Sequence, residues 1–262
     1  MEIKSHGNNL IKYVRRLSRR RQREKEGRFL LEGVRLVQEA LSSGWPVEVL
    51  LYTGGVEERA AGLLEQVRQK GIRTVAVAEK LLMELTDTVN PQGVLAVVKR
   101  PGYTLGELFQ DAPTLLVLVE GVADPGNLGT IIRSADAAGA GGVVLLPGTV
   151  DLYNPKTIRS TMGSLFHLPV VPAGEEELLA FLHSSGIQVV AGVPRGGTPL
   201  WTVDLTRPSA LLVGSEAAGI SSYWWDRAAH LAIIPMPGRA ESLNVAAAAS
   251  IMLYEAVRQR QS

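Results

Sequence analysis

Three short stretches carry residue types suited to chemistry. "ADPGNLGTIIRSADAAG" places Asn127, Gly129 and Arg133 at the opening of a helical pattern. There an amide can cap the helix, a glycine permits close approach, and a guanidinium follows six residues after the amide. "LLVGSEAAGIS" breaks an apolar run into Gly214, Ser215 and Glu216, with Gly219 behind them. Such a break frees backbone N–H groups for a ligand, and it also suits any tight strand-to-helix turn. "IIPMPGRAESLNVAAAAS" passes from Ile234 and Met236 through a Pro-Gly turn to Ser242, Leu243 and Asn244, ahead of an alanine-rich helix. Exposed backbone donors at that helix start suit a ligand, while an ordinary Ser or Asn cap would read the same way. The 262 residues contain no cysteine, which excludes disulfides, thiolate metal sites and a cysteine nucleophile.

The elements needed to hold these stretches are legible around them. "TLLVLVEG" is a continuous apolar run of the kind buried on both faces in a parallel sheet. Strand patterns in "GVVLLPG", "LPVVPA", "IQVVAGV", "SALLVG" and "LAIIPM" alternate with helical patterns in "NLGTIIRSADAAG", "NPKTIRSTMGSLF", "EEELLAFLHSSG" and the alanine run. That alternation predicts a parallel α/β sheet, in which ligands bind beyond the carboxyl ends of the strands. All three polar stretches fall at strand ends. Ahead of them, "RFLLEG", "PVEVLLYT", "IRTVAVA" and "GVLAVVKR" read as strands and "VRLVQEALSSG", "ERAAGLLEQVRQKG" and "KLLMELTDT" as helices, a separate α/β unit of about a hundred residues. "RPGYTLGELFQDAP" reads as a linker between the two. Residues 8–26 read as one basic helix.

The formal charge of +1 conceals an asymmetry, because residues 1–30 hold ten Lys or Arg against three Asp or Glu. A basic concentration of this kind is the electrostatic footprint of a nucleic-acid binder. The N-terminus lacks an apolar segment behind its basic residues and no apolar stretch approaches 18 residues, so neither a signal peptide nor a membrane span is expected. A reducing, cytoplasmic address is expected.

In order and in wording, the three polar stretches resemble the motifs of the SpoU/TrmH branch of the SPOUT RNA methyltransferases. N-L-G-x-x-x-R appears as Asn127, Leu128, Gly129 and Arg133, and G-S-E-x-x-G as Gly214, Ser215, Glu216 and Gly219. I-P-M-x-G…S-L-N-V appears as Ile234, Pro235, Met236 and Gly238, then Ser242, Leu243, Asn244 and Val245. The resemblance spans residues 113–260. It implies an α/β domain over 113–262, with a parallel sheet and a deep trefoil knot, one of the rare exceptions to unknotted topology. It also implies a homodimer whose two chains together form each active site. The cofactor is S-adenosylmethionine, with no metal, held by Leu212, Gly214, Ile234, Met236, Ser242 and Leu243.

The reaction so implied is methyl transfer to a ribose 2′-hydroxyl of RNA, with Arg133 central and Asn127, Glu216, Ser242 and Asn244 around it. The absence of cysteine fits, because no covalent enzyme intermediate is needed. A guanidinium holds its proton well above neutral pH, so orientation of the hydroxyl and the adjacent phosphate is the expected role of Arg133. Assistance to proton removal on desolvation stays open.

The first hundred residues resemble the substrate-binding domain that precedes the knot in ribosomal-RNA members of the family, itself similar to small ribosomal proteins that grip RNA kinks. This divides the chain into an RNA-binding domain at 1–100, a linker at 101–112 and the methyltransferase domain. Arg15, Arg16, Arg19, Arg20, Arg21 and Arg23 would contact phosphates, which position an RNA without reading its sequence; a solvated helix face is the alternative. Large-subunit (23S) ribosomal RNA is the expected target, with transfer RNA the alternative.

Two rivals make different predictions. A nucleotide-dependent α/β enzyme requires G-x-G-x-x-G after its first strand or a G-x-x-x-x-G-K-[ST] loop, and neither occurs. A non-enzymatic RNA-binding relative predicts loss of residues such as Arg133 or Asn244, and both are present. The alanines after Asn244 imply a helix pressed against crossing chain, with a large residue at Ala247 or Ala248 expected to damage the fold.

Overall fold

Apolar runs of four to six residues become strands, and glycines at left-handed positions stop the helices between them. A computed structural model describes residues 2–56, 59–88, 91–112 and 114–261. Met1, Pro113 and Ser262, at the ends of the expected domains, and Glu58, at the head of an expected helix, lie outside the described residues. The chain divides into two units, Met1–Gly102 with Tyr153–Arg159, and Tyr103–Leu152 with Ser160–Ser262.

The first unit runs α1 (Asn9–Arg16), α2 (Arg20–Glu26), β1 (Arg28–Glu32), α3 (Val34–Ser42), β2 (Val47–Tyr52), α4 (Ala61–Gln69), β3 (Arg73–Ala76), α5 (Glu79–Met83) and β4 (Val94–Lys99). Its sheet has the order β1-β4-β2-β3, with β4 antiparallel to both neighbours and β2 parallel to β3. Ile11, Val14 and Leu17 anchor the basic helical region in a core with Leu51, Val75, Leu82 and Val97. The single helix expected over 8–26 is two. The chain turns extended at Arg19, and buried Arg23 donates to the Leu17 and Ser18 carbonyls at 3.0 and 2.6 Å. Those hydrogen bonds satisfy carbonyls that the end of α1 leaves without helical partners. The segment 153–159 belongs to this unit through Tyr153, whose ring lies 4.8 Å from that of Phe29 and under the Arg100 guanidinium.

The second unit contains α6 (Leu105–Gln110), β5 (Leu115–Val119), α7 (Pro125–Ala137), β6 (Gly142–Leu145), the end of α8 (Pro155–Ser160), β7 (Val170–Pro172), α9 (Glu175–Ser184), β8 (Gln188–Gly192), β9 (Thr198–Pro199), β10 (Ser209–Val213), α10 (Ser222–Trp225), β11 (His230–Ile233) and α11 (Val245–Arg260). Seven strands pair in the order β7-β6-β5-β10-β8-β11-β9, every pair parallel. Leu116, Leu118, Leu212 and Ala210 from the central strands are fully buried, as the apolar runs require.

Three local expectations are corrected. The stretch expected as a linker carries α6, which begins with a reciprocal capping box between Thr104 and Glu107 and buries Leu105 and Leu108 in the second core. The helix expected over 154–166 stops at Ser160, because Met162 and Gly163 both adopt positive φ, and a 3₁₀ turn follows at Ser164–Phe166. In α11 the tight positions are Ala246 and Ala249, which are buried, whereas Ala247 is exposed. Ser250 in α11 and Ser134 in α7 lie hydroxyl to hydroxyl at 2.8 Å, a close packing that small residues allow.

Candidate active site

The sheet order brings the three polar strand ends together: β5 and β10 are neighbours, and the chain after β11 returns to start α11 beside α7. Each helix start is fixed by its own cap. Asp124, not Asn127, caps α7, accepting from the Asn127 N–H at 2.9 Å ahead of Pro125 in the first turn. This leaves the Asn127 side chain free for the site. Asn244 caps α11, its Oδ1 accepting from the N–H groups of Ala246 and Ala247 at 2.9 and 3.2 Å.

With its oxygen committed to that cap, Asn244 turns its amide nitrogen outward and donates to Asn127 Oδ1 at 3.0 Å. Asn127 in turn donates from Nδ2 to Glu216 Oε1 at 2.8 Å, and Glu216 Oε2 accepts from the Ala123 N–H at 3.4 Å. One directed chain of hydrogen bonds therefore links one residue from each of the three stretches. Desolvation, the largest influence on the Glu216 carboxyl, pushes its pKa up. The Asn127 amide and the N–H groups of Glu216, Ala123 and Asp124 together outweigh it and hold the pKa below the ordinary value. Glu216 is thus an anionic acceptor at neutral pH rather than a proton donor.

Beside this chain opens a cavity of about 660 Å³, within the range of small-molecule sites. Gly214, Glu216, Ile234, Met236, Ser242, Leu243 and Asn244 all line it. Gly214 is required by its surroundings: a Cβ there would sit 2.2 Å from the Gly219 carbonyl carbon. The backbone is folded tightly at that point, where Ser215 and Gly219 exchange N–H···O bonds of 2.9 and 2.8 Å and Gly219 has φ of +71°. Ser215 Oγ accepts from the Ala217 N–H at 3.2 Å, closing the turn.

Three of the expected site residues fall elsewhere. Leu212 does not line the cavity; it is fully buried in β10, and its neighbour Val213, facing the other side of the sheet, takes the lining position. Arg133 is also outside the cavity. Six residues separate it from Asn127, about 240° around the helix, so the two side chains leave α7 on different faces. Arg133 is exposed and forms no ion pair or hydrogen bond with another described residue. In the first unit, Arg15, Arg16, Arg19, Arg20 and Arg21 are exposed, with Arg15 beside Glu84 at 3.3 Å and Arg20 beside Glu24 at 2.8 Å. Arg23 is withdrawn from that surface by its burial.

Sequence reasoning overlooked Asp124, for which the Asp-Pro pair at a helix start was the available signal. It also overlooked Glu120, buried at the end of β5 and accepting from the Ser221 N–H at 2.8 Å, and the cavity residues Arg195, Trp225 and Met252.

The SpoU rRNA Methylase family model matches residues 114–254, and the MRM3-like substrate binding domain model matches residues 8–96. The chain is 41% identical to the 23S rRNA (uridine(2479)-2′-O)-methyltransferase of Streptomyces viridochromogenes, over 94% of this chain and 88% of that protein. It is 37% identical to the 23S rRNA (guanosine(2553)-2′-O)-methyltransferase RlmP of Bacillus subtilis, over 97% and 98%. The crystal structure of the SpoU methyltransferase AviRb from S. viridochromogenes in complex with the cofactor AdoMet superposes with a TM-score of 0.90 at 39% identity, covering 97% of this chain and 99% of that one.

Proposed function

This chain belongs to the SpoU rRNA methylase family, and on that premise we propose that it methylates a ribose 2′-hydroxyl of 23S ribosomal RNA with S-adenosylmethionine. The observation that carries the reading is the Asn244–Asn127–Glu216 chain on the rim of a cavity lined by the second and third polar stretches. Residues there fit the cofactor: a glycine cradle that no Cβ could enter, apolar walls and a fixed carboxylate. Bound there, S-adenosylmethionine supplies an electrophilic methyl group. Gly214, Ile234, Met236, Ser242 and Leu243 hold it, while Asn127, Asn244 and Glu216 fix the geometry around the acceptor.

Arg133 orients the ribose hydroxyl and its phosphate, with its guanidinium protonated throughout. Its position away from its own chain's cavity supports a site completed by a second copy. The outward face of α11 supports the same reading: Ala247, Ile251 and Tyr254 follow one another at helical spacing, and Ile251 and Tyr254 are 42% and 53% exposed. Burial of that face in a homodimer, with the α11 segment threaded through the trefoil knot, completes the proposed architecture. The exposed arginines of α1 and α2 position the RNA, and the substrate implies a cytoplasmic address.

The test is incubation with methyl-labelled S-adenosylmethionine and separated ribosomal and transfer RNAs, followed by mapping of the modified ribose. A single labelled 2′-O-methyl in 23S RNA is expected. Label confined to transfer RNA, or no incorporation, would overturn the assignment.

A further inference from the structure

The cavity has two chemically different ends. At one, Glu216 follows β10 on the β5 side, and Asn244 and Ser242 stand beside it. At the other, the loop from β8 to β9 passes the end of β11, bringing Pro194 and Arg195 to the wall, and Trp225 of α10 closes it. β10 and β11 are separated by β8, so the two ends lie two strand spacings apart, about 10 Å.

Trp225 occupies an unusual position for its size. Its sequence neighbour Trp224 is wholly buried in the core, while Trp225 remains 43% exposed and turns to the cavity. Its ring lies beside the β8–β9 loop: a Cβ added to Gly196 would come within 3.7 and 3.8 Å of the outer carbons of the indole. A large flat side chain thus stands at the cavity wall on the side of the β8–β9 loop, with part of its surface uncovered by protein.

We propose that Trp225 is the stacking platform for the adenine of S-adenosylmethionine and the residue that makes this cavity selective for an aromatic base. The charge distribution sets the orientation. The sulfonium belongs at the end where Glu216 is held ionised, beside the Asn127–Asn244 pair, and the only aromatic part of the cofactor then falls toward the indole. Stacking of a base on an aromatic side chain buries two flat apolar faces and tolerates small displacements, which suits an anchor remote from the reacting atom. The inference rests on the reading that this cavity takes S-adenosylmethionine.

Titration calorimetry and tryptophan fluorescence with S-adenosylmethionine, on the wild type, W225A and W225F, test it. Wild-type fluorescence is expected to be quenched on binding, because an adenine stacked on an indole quenches it. W225A should bind about tenfold more weakly, and W225F within about threefold of wild type, since a phenyl ring retains the face. Both variants should lose most of the quench although Trp45, Trp201 and Trp224 remain. Wild-type affinity and an undiminished quench in W225A would overturn the inference. Equal weakening in W225A and W225F, with the quench retained, would assign Trp225 to packing and overturn it as well. A wild type that fails to bind S-adenosylmethionine would instead overturn the cofactor reading beneath it.

Discussion

The strand ends of the second unit and the α1–α2 surface of the first both gather polar side chains, yet they use them in opposite ways. At the strand ends three polar side chains are committed to one another: Asn244 caps a helix with its oxygen and reaches Asn127 with its nitrogen, and Asn127 reaches Glu216. On α1 and α2 the exposed arginines face solvent, Arg15 beside Glu84 and Arg20 beside Glu24, and such exposed pairs contribute little to stability. Committed groups fix atoms within tenths of an ångström, as in-line transfer to a hydroxyl demands. Exposed charges attract phosphates over a Debye length without specifying a geometry. In the proposed function, the contrast is between a region that performs the reaction and one that delivers its substrate.

Substitutions sharpen that contrast in order of expected size. Arg133→Ala should lower turnover by about 10²- to 10³-fold, the scale of losing a charged group that stabilises a transition state. The Kd for S-adenosylmethionine should stay within about twofold by calorimetry, since a factor of two is well under 1 kcal/mol. Wild-type-like turnover would remove Arg133 from the site.

Next, charge reversal of Arg19 and Arg20 together should weaken RNA affinity about tenfold and lower the slope of log K against log salt by about one to two, one phosphate contact being worth about 0.7 to 0.9. Thermal stability should not change. Arg23→Ala should do the reverse, leaving the salt slope intact while destabilising the first unit by about 1–3 kcal/mol, because the Leu17 and Ser18 carbonyls lose their charged donor. If Arg23→Ala instead flattened the salt dependence, the division between buried and exposed arginines would fail.

The smallest effect concerns pH. The folded pKa of Glu216 is depressed, so its contribution to stability is fully present above the ordinary carboxylate value of 4.5 and is lost as pH falls below it through the folded value. The difference in Tm between wild type and Glu216→Gln should therefore shrink as pH is lowered from neutrality to below that value. A constant difference would mean that the carboxylate charge plays no part in holding the chain of hydrogen bonds.

Much of this was legible in the sequence where local chemistry and global structure agree. The runs at 115–119 and 210–213 are apolar because the sheet buries both their faces, and the alanines of α11 are small because α7 lies against them. The capping box at Thr104 and Glu107 was equally readable but is outweighed to the eye by the Pro and Gly nearby, which is why α6 passed for a linker. What no local pattern encodes is facing. Leu212 and Val213 are adjacent apolar residues in one strand, and only the register of the sheet decides which meets the cavity. Arg133 likewise belongs to the same motif as Asn127, while helical phase sends it elsewhere. The parting of Trp224 and Trp225, one to the core and one to the cavity, has the same origin.

The hydrogen bond from Asn244 to Asn127 joins residues 117 positions apart, and that from Asn127 to Glu216 joins residues 89 apart. The first needs α11 seated beside α7, and the second needs β10 paired with β5, a pairing that sets Leu115 against Ser209. Contacts this distant in sequence form slowly, because the entropy of loop closure is lost before any reward is gained. Activity should thus be the last property to return on refolding, after helical signal and after RNA affinity. A newly made chain would grip RNA before it could modify it.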